Sequence, residues 1–324
     1  MVAATHAATH PHKPRAGTRQ FRIAAIAAAC LAVLIGLANR LDAPATSSVG
    51  LFLHLAPVAL AFAMAAACAA TARRARGRTR RSWRALALAG VLLVIAESIC
   101  FLQCVLYGNQ GWALPEAVRL AATIVALAGL RPLFTLEHLR TARLRNLFGS
   151  LVIAFCTFFI SRALGLNWTA LDQQTDLATR AVHFAHPLAA ATLAAVALIL
   201  VFQVERTSRL HIGLIALAFA LQAWTHGGTQ FDHLVGATYA LLTLAALAPA
   251  AARPISAEAH RQVRVDEVTT LALTPLTIGA ICVGAWTGAV RYDGSLVITG
   301  LGILLLIAAR QYLFARDTRE LLAT

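Results

Sequence analysis

Stretches of about twenty predominantly apolar residues recur along this chain, each bounded by a short polar segment. Crossing a bilayer as an α-helix takes about 20 such residues at about 1.5 Å of rise each. The pattern predicts helices over 22–39, 49–72, 84–106, 117–136, 147–165, 181–203, 210–226, 233–251, 268–288 and 295–314. Backbone N–H and C=O groups in hydrocarbon must find partners within the structure, which favours helix for runs of this length. The expected fold is all-α: a polytopic membrane bundle of about ten transmembrane helices over residues 22–314. Residues 1–21 are Ala/Thr/His/Pro-rich without periodicity and are read as a disordered basic cytoplasmic tail. Residues 315–324 are read as a cytoplasmic continuation of the last helix.

Composition strengthens this picture. Of 324 residues, 59% are hydrophobic and 13% charged, and the mean hydropathy is +0.70. A soluble domain carries roughly a quarter charged residues. The net charge of +14 would fit a nucleic-acid binder if it formed one basic face. Instead the basic residues punctuate the apolar runs. Counting by alternate connections puts 22 of the 28 on one side, in the N-terminal tail, 73–84, 140–145, 206–209, 253–264 and the C-terminal end. By the positive-inside rule that side is cytoplasmic, both termini included. The lipid bilayer is then the expected partner, and nucleic acid is not. The arginine-rich segment 73–84 (RRARGRTRRSWR) is expected to be a loop that sets orientation, with attraction to anionic lipid headgroups as the functional alternative.

Ionisable and polar residues within the apolar runs are the candidate functional groups, because a charge in hydrocarbon is costly. Glu97 lies inside the third run and has no counter-charge on its own helix; Arg119, entering from the outer end of the next run, is its expected partner. Arg131, followed by Pro132, and Gln222 complete the set of ligand or proton-site candidates. His183 and His186 share one helical face at the start of the sixth run, and His226 and His233 flank the following outer connection. These four, with His54 and Asp232 as further candidates, are the positions at which a metal or haem would be held. No bound cofactor is the simpler expectation. The six cysteines lie in apolar runs, without a CxxC pair. No Walker sequence, nucleophile elbow or Gly-rich dinucleotide loop is present, so an enzyme is not expected.

The last run continues past the membrane as Arg310-Gln311-Tyr312-Leu313-Phe314-Ala315-Arg316-Asp317-Thr318-Arg319-Glu320-Leu321-Leu322. This segment resembles the exit helix of multi-pass N-terminal sensor regions in bacterial GGDEF-type signalling proteins, as does the plan of about ten spans with both ends inside. The resemblance implies a sensor whose exit helix, with Arg310, Gln311, Arg316 and Asp317, passes a signal to a cytoplasmic signalling partner or a homodimer mate. No GGDEF domain follows Thr324, so the expectation is a stand-alone membrane module without cyclase activity. The alternatives are a small-molecule transporter of the ten-helix drug/metabolite plan and a haem or metal protein using the outer histidines.

Overall fold

A computed structural model describes residues 16–38, 47–107, 113–130, 151–152, 156, 177–225, 235–254, 301–303, 305–309 and 312. Among them the secondary structure is helical, without a strand. Seven helices are defined: α1 (Ala16–Ala38), α2 (Ser48–Arg74), α3 (Gly77–Tyr107), α4 (Ala113–Leu130), α5 (Leu177–Gln203), α6 (Arg206–Thr225) and α7 (Val235–Leu247). Two of them are long and apolar enough to cross a membrane, over Gly50–Arg74 and Gly77–Leu106. The span expected at 268–288 lies outside the described residues, as do most of 147–165 and Pro132.

Helices α2 to α7 form a ring. Each packs on the next, and α7 returns to pack on α2, while α1 lies outside against α7 and α2. The sequence explains how α2 and α3 are cut. Ser47 caps α2 by accepting a hydrogen bond from the Gly50 amide at 3.1 Å. Its far end closes where Ala75 turns extended and donates to the Thr71 carbonyl. Gly77 then takes the left-handed φ of +56° that reverses the chain.

Here the expectation of an arginine-rich loop over 73–84 is corrected. Only Ala75 and Arg76 lie outside helix, and α3 begins at Gly77, seven residues earlier than predicted. The reason is an inward stripe hidden among the arginines. Thr79, Ser82, Trp83 and Leu86 are buried at helical spacing, while Arg78, Arg80, Arg81 and Arg84 are exposed. Trp83 Nε1 donates to the Ala251 carbonyl at 2.7 Å, and Thr71 Oγ1 donates to that of Ala246 at 2.8 Å. The Trp83 and His211 rings stand 6.3 Å apart. These contacts gather the α2–α3 turn, the start of α6 and the end of α7 at one end of the ring. Their exposed arginines (Arg73, Arg74, Arg206 and Arg253 among them) are therefore at that end too. Trp83→Phe, which keeps the ring but abandons the Ala251 carbonyl, is expected to cost about 1 kcal/mol, read from the thermal unfolding midpoint in detergent.

Apolar side chains line the outside of the ring as well as filling its core. On α3 the outward stripe is Leu88, Val91, Ile95, Leu102, Val105 and Leu106. It begins one turn beyond the last exposed arginine, Arg84, and spans about 27 Å at about 1.5 Å per residue. On α2 the outward positions include Phe52, Leu55 and Phe62, ending before Arg73. An exposed apolar patch of this extent marks an interaction surface. A few charged groups are buried inside the ring: Glu97, Glu116 and Arg119.

Candidate functional site

The interior of the ring holds a chain of polar side chains contributed by five of its six helices. Glu97 comes from α3, Glu116 and Arg119 from α4, His186 from α5, Gln222 from α6 and Tyr239 from α7. All are buried: Glu97 is 6% exposed, Arg119 8% and His186 0%. Glu97 stands midway along the outward apolar stripe of its helix. Glu116 in the first turn of α4 and Gln222 in the last turn of α6 lie toward the end away from the arginines.

Glu97 Oε1 accepts from Arg119 Nε at 3.0 Å, from Arg119 Nη2 at 2.9 Å and from the Tyr239 hydroxyl at 2.6 Å. Arg119 Nη1 donates in turn to Glu116 Oε1. The planar guanidinium thus bridges two carboxylates on different helices, a task its fork geometry suits and an ammonium would not. Glu116 Oε2 lies 2.9 Å from His186 Nδ1, and His186 Nε2 lies 3.1 Å from Gln222 Nε2. The direction of these last two contacts follows the tautomer of the imidazole. Among the described residues the network brings together two carboxylates, one guanidinium, one imidazole, one amide and one phenol.

Pro187 adjoins His186 within α5 and removes the helical donor to the His183 carbonyl, which loosens α5 at that point.

No protein-family model, curated protein or solved structure matches this chain. The cluster must be read from its own chemistry.

Of the residues expected to matter, Glu97 and Arg119 meet as the sequence placed them, and Gln222 joins the same network. His186 is fully buried, with Glu116 and Gln222 at its two ring nitrogens. Its position on the inward side of α5, facing the first turn of α4, accounts for this. Among the described residues no group of three His, Cys, Asp or Glu side chains is arranged to hold a metal ion. His226, His233, Arg131, Arg310, Gln311, Arg316 and Asp317 lie outside the described residues, and so does the side chain of His183. His54 on α2 contacts Cys104 Sγ through Nε2 at 3.2 Å.

Glu116 and Tyr239 were not anticipated. Glu116 precedes Arg119 by three residues, which places both on one helical face, and that spacing was the available signal. Tyr239 is a lone hydroxyl in an apolar run, and nothing in the sequence marks it. A second buried histidine, His211, was also missed. It is 1% exposed, neither ring nitrogen has a hydrogen-bond partner, and it borders a cavity of about 10 Å³ beside Thr79, Ser82 and Trp83.

Proposed function

We propose that this chain is a multi-pass protein of about ten helices in a bacterial cytoplasmic membrane, working as a non-enzymatic sensor or regulatory module. Support for the membrane part comes from the outward apolar stripes, from the gathering of exposed arginines at one end of the ring, and from the burial of charge inside it. The arginine-rich end faces the cytoplasm in this reading, and the polar cluster lies in the outer half of the bilayer.

One observation carries the functional part: a buried polar network built from five helices that no other polar contact among the described residues joins in this way. A stimulus that competes for Arg119 changes which helices are held together. Two packings with different affinity for the stimulus are the minimum a sensor requires. The C-terminal helix would carry the change to a cytoplasmic partner or a second copy.

The same cluster favours a second reading. It joins α3 and α4 from the first half of the chain to α5, α6 and α7 from the second, and transporters built from two repeats keep their sites at that boundary near the midplane. Reconstitution separates the two. In the sensor reading, proteoliposomes show no saturable flux of the small solutes tested, and truncation after Arg310 leaves membrane insertion intact while abolishing retention of a cytoplasmic partner. Saturable flux that Glu97→Gln abolishes overturns the sensor reading in favour of the transporter.

A further inference from the structure

Where α2 turns into α3, a groove of about 340 Å³ opens between the two helices, lined by Ala69, Ala72, Arg73, Arg80, Arg84 and Ala87. The helical register explains it. Ala69, Ala72 and Arg73 share one face of α2, and Arg80, Arg84 and Ala87 share one face of α3. The alanines leave the floor open, and the three guanidinium groups stand around it on exposed side chains. Arg74, Arg76, Arg78 and Arg81 crowd the same turn, also exposed.

None of these seven arginines has an ion-pair partner among the described residues. Seven like charges within twelve residues repel one another, and an anion supplied from outside the described chain relieves that repulsion. The position of the groove says which kind. Its alanine floor runs toward the outward apolar stripe, with Leu88 one residue beyond Ala87 and Phe62 two turns before Ala69. A ligand seated there meets cations at one end and exposed alkyl surface at the other. A free phosphate or nucleotide matches only the first half. A lipid with an anionic headgroup and acyl chains matches both.

We propose that the α2–α3 groove is a binding site for an anionic glycerophospholipid of the cytoplasmic leaflet, its phosphate held by Arg73, Arg80 and Arg84 and its chains laid along α2 and α3. The arginine fork binds phosphate in the bidentate manner that a lysine cannot, and all seven basic residues of this segment are arginine. The site rests on the membrane reading above, and its function is to fix the helix pair that carries Glu97 at a defined depth.

The test uses the full chain purified in a neutral detergent, with lipid added back and adducts counted by native mass spectrometry. Phosphatidylglycerol is expected to bind at least tenfold more tightly than phosphatidylcholine of the same chain length, with the preference falling as salt is raised. Arg73→Gln, Arg80→Gln and Arg84→Gln together should remove the preference. Arg206→Gln with Arg253→Gln, exposed at the same end but outside the groove, should retain it, and the triple lysine variant should keep the fold while losing part of the preference. Equal binding of the two lipids, or unchanged selectivity in the triple glutamine variant, overturns the proposal. Competition by millimolar inorganic phosphate as effective as by lipid overturns the acyl-chain part, and preferential binding of RNA over phosphatidylglycerol assigns the arginines elsewhere. A chain that stays monodisperse without detergent refutes the membrane reading itself, a result distinct from these.

Discussion

Arg119→Met is expected to destabilise the detergent-solubilised protein by about 3–5 kcal/mol, the cost of removing one partner from a buried ionic network. Methionine fills much of the arginine stem, so the loss is chiefly electrostatic. Without the guanidinium, Glu97 and Glu116 lose their shared cation, and the Tyr239 hydroxyl is left to stabilise Glu97 alone. Arg119→Lys keeps the charge but cannot reach both carboxylates in one plane, and should fall between wild type and the methionine variant. The decisive comparison is the triple variant Glu97→Gln, Glu116→Gln, Arg119→Met. Replacing all three charges removes the penalty of an unpaired carboxylate, so it should recover most of the stability that the single change loses. Chemical or thermal unfolding followed by tryptophan fluorescence reads all of these. If Arg119→Met costs under about 1 kcal/mol, the cluster behaves as a hydrated surface pair, and its proposed role in coupling the helices goes with it.

The residues of this cluster were unequally visible in the sequence, for physical reasons. Glu97 and Arg119 stand out because a charge within an apolar run has no cheap explanation. Glu116 carries the same charge, yet it sits beside Pro115 at the edge of its run, where hydration is the default expectation. Only its helical spacing from Arg119 betrays that it points inward. His186 and Gln222 drew notice as polar groups, but their partners lie 70 and 36 residues away in sequence, and no local pattern encodes such a distance. The order of the seven described helices was legible from hydropathy. The closing of α7 onto α2 was not, because the polar contact between them, Thr71 to Ala246, sets a single side chain against a backbone carbonyl, as does Trp83 of α3 against Ala251 just past α7. Arginine density misled in one place: it read as a loop, while Thr79, Ser82 and Trp83 continued an inward stripe beneath it.

The position of Glu97 depends on how closely α3 approaches its neighbours, and two glycines set that approach. A Cβ added at Gly129 on α4 would lie 2.5 Å from Ala85 Cβ on α3. One added at Gly90 on α3 would lie 2.9 Å from both Cα and Cβ of Ala65 on α2. Close helix contact through small residues is a principal source of association in membranes, where lipid competes equally for apolar side chains. Gly90→Leu and Gly129→Leu are each expected to cost about 3 kcal/mol, the upper part of the range for overpacking, and to loosen the Glu97–Arg119 contact by displacing α3. Smaller substitutions separate the two sites. Gly129→Ala clashes chiefly with a side-chain methyl, so Ala85→Gly in the same chain should restore the wild-type unfolding midpoint. Gly90→Ala meets backbone, and Ala65→Gly removes the methyl but leaves the Cα in place, so the second change should fail to rescue the first. Rescue at both positions, or at neither, would mean that α3 is not held between α2 and α4 at these two points.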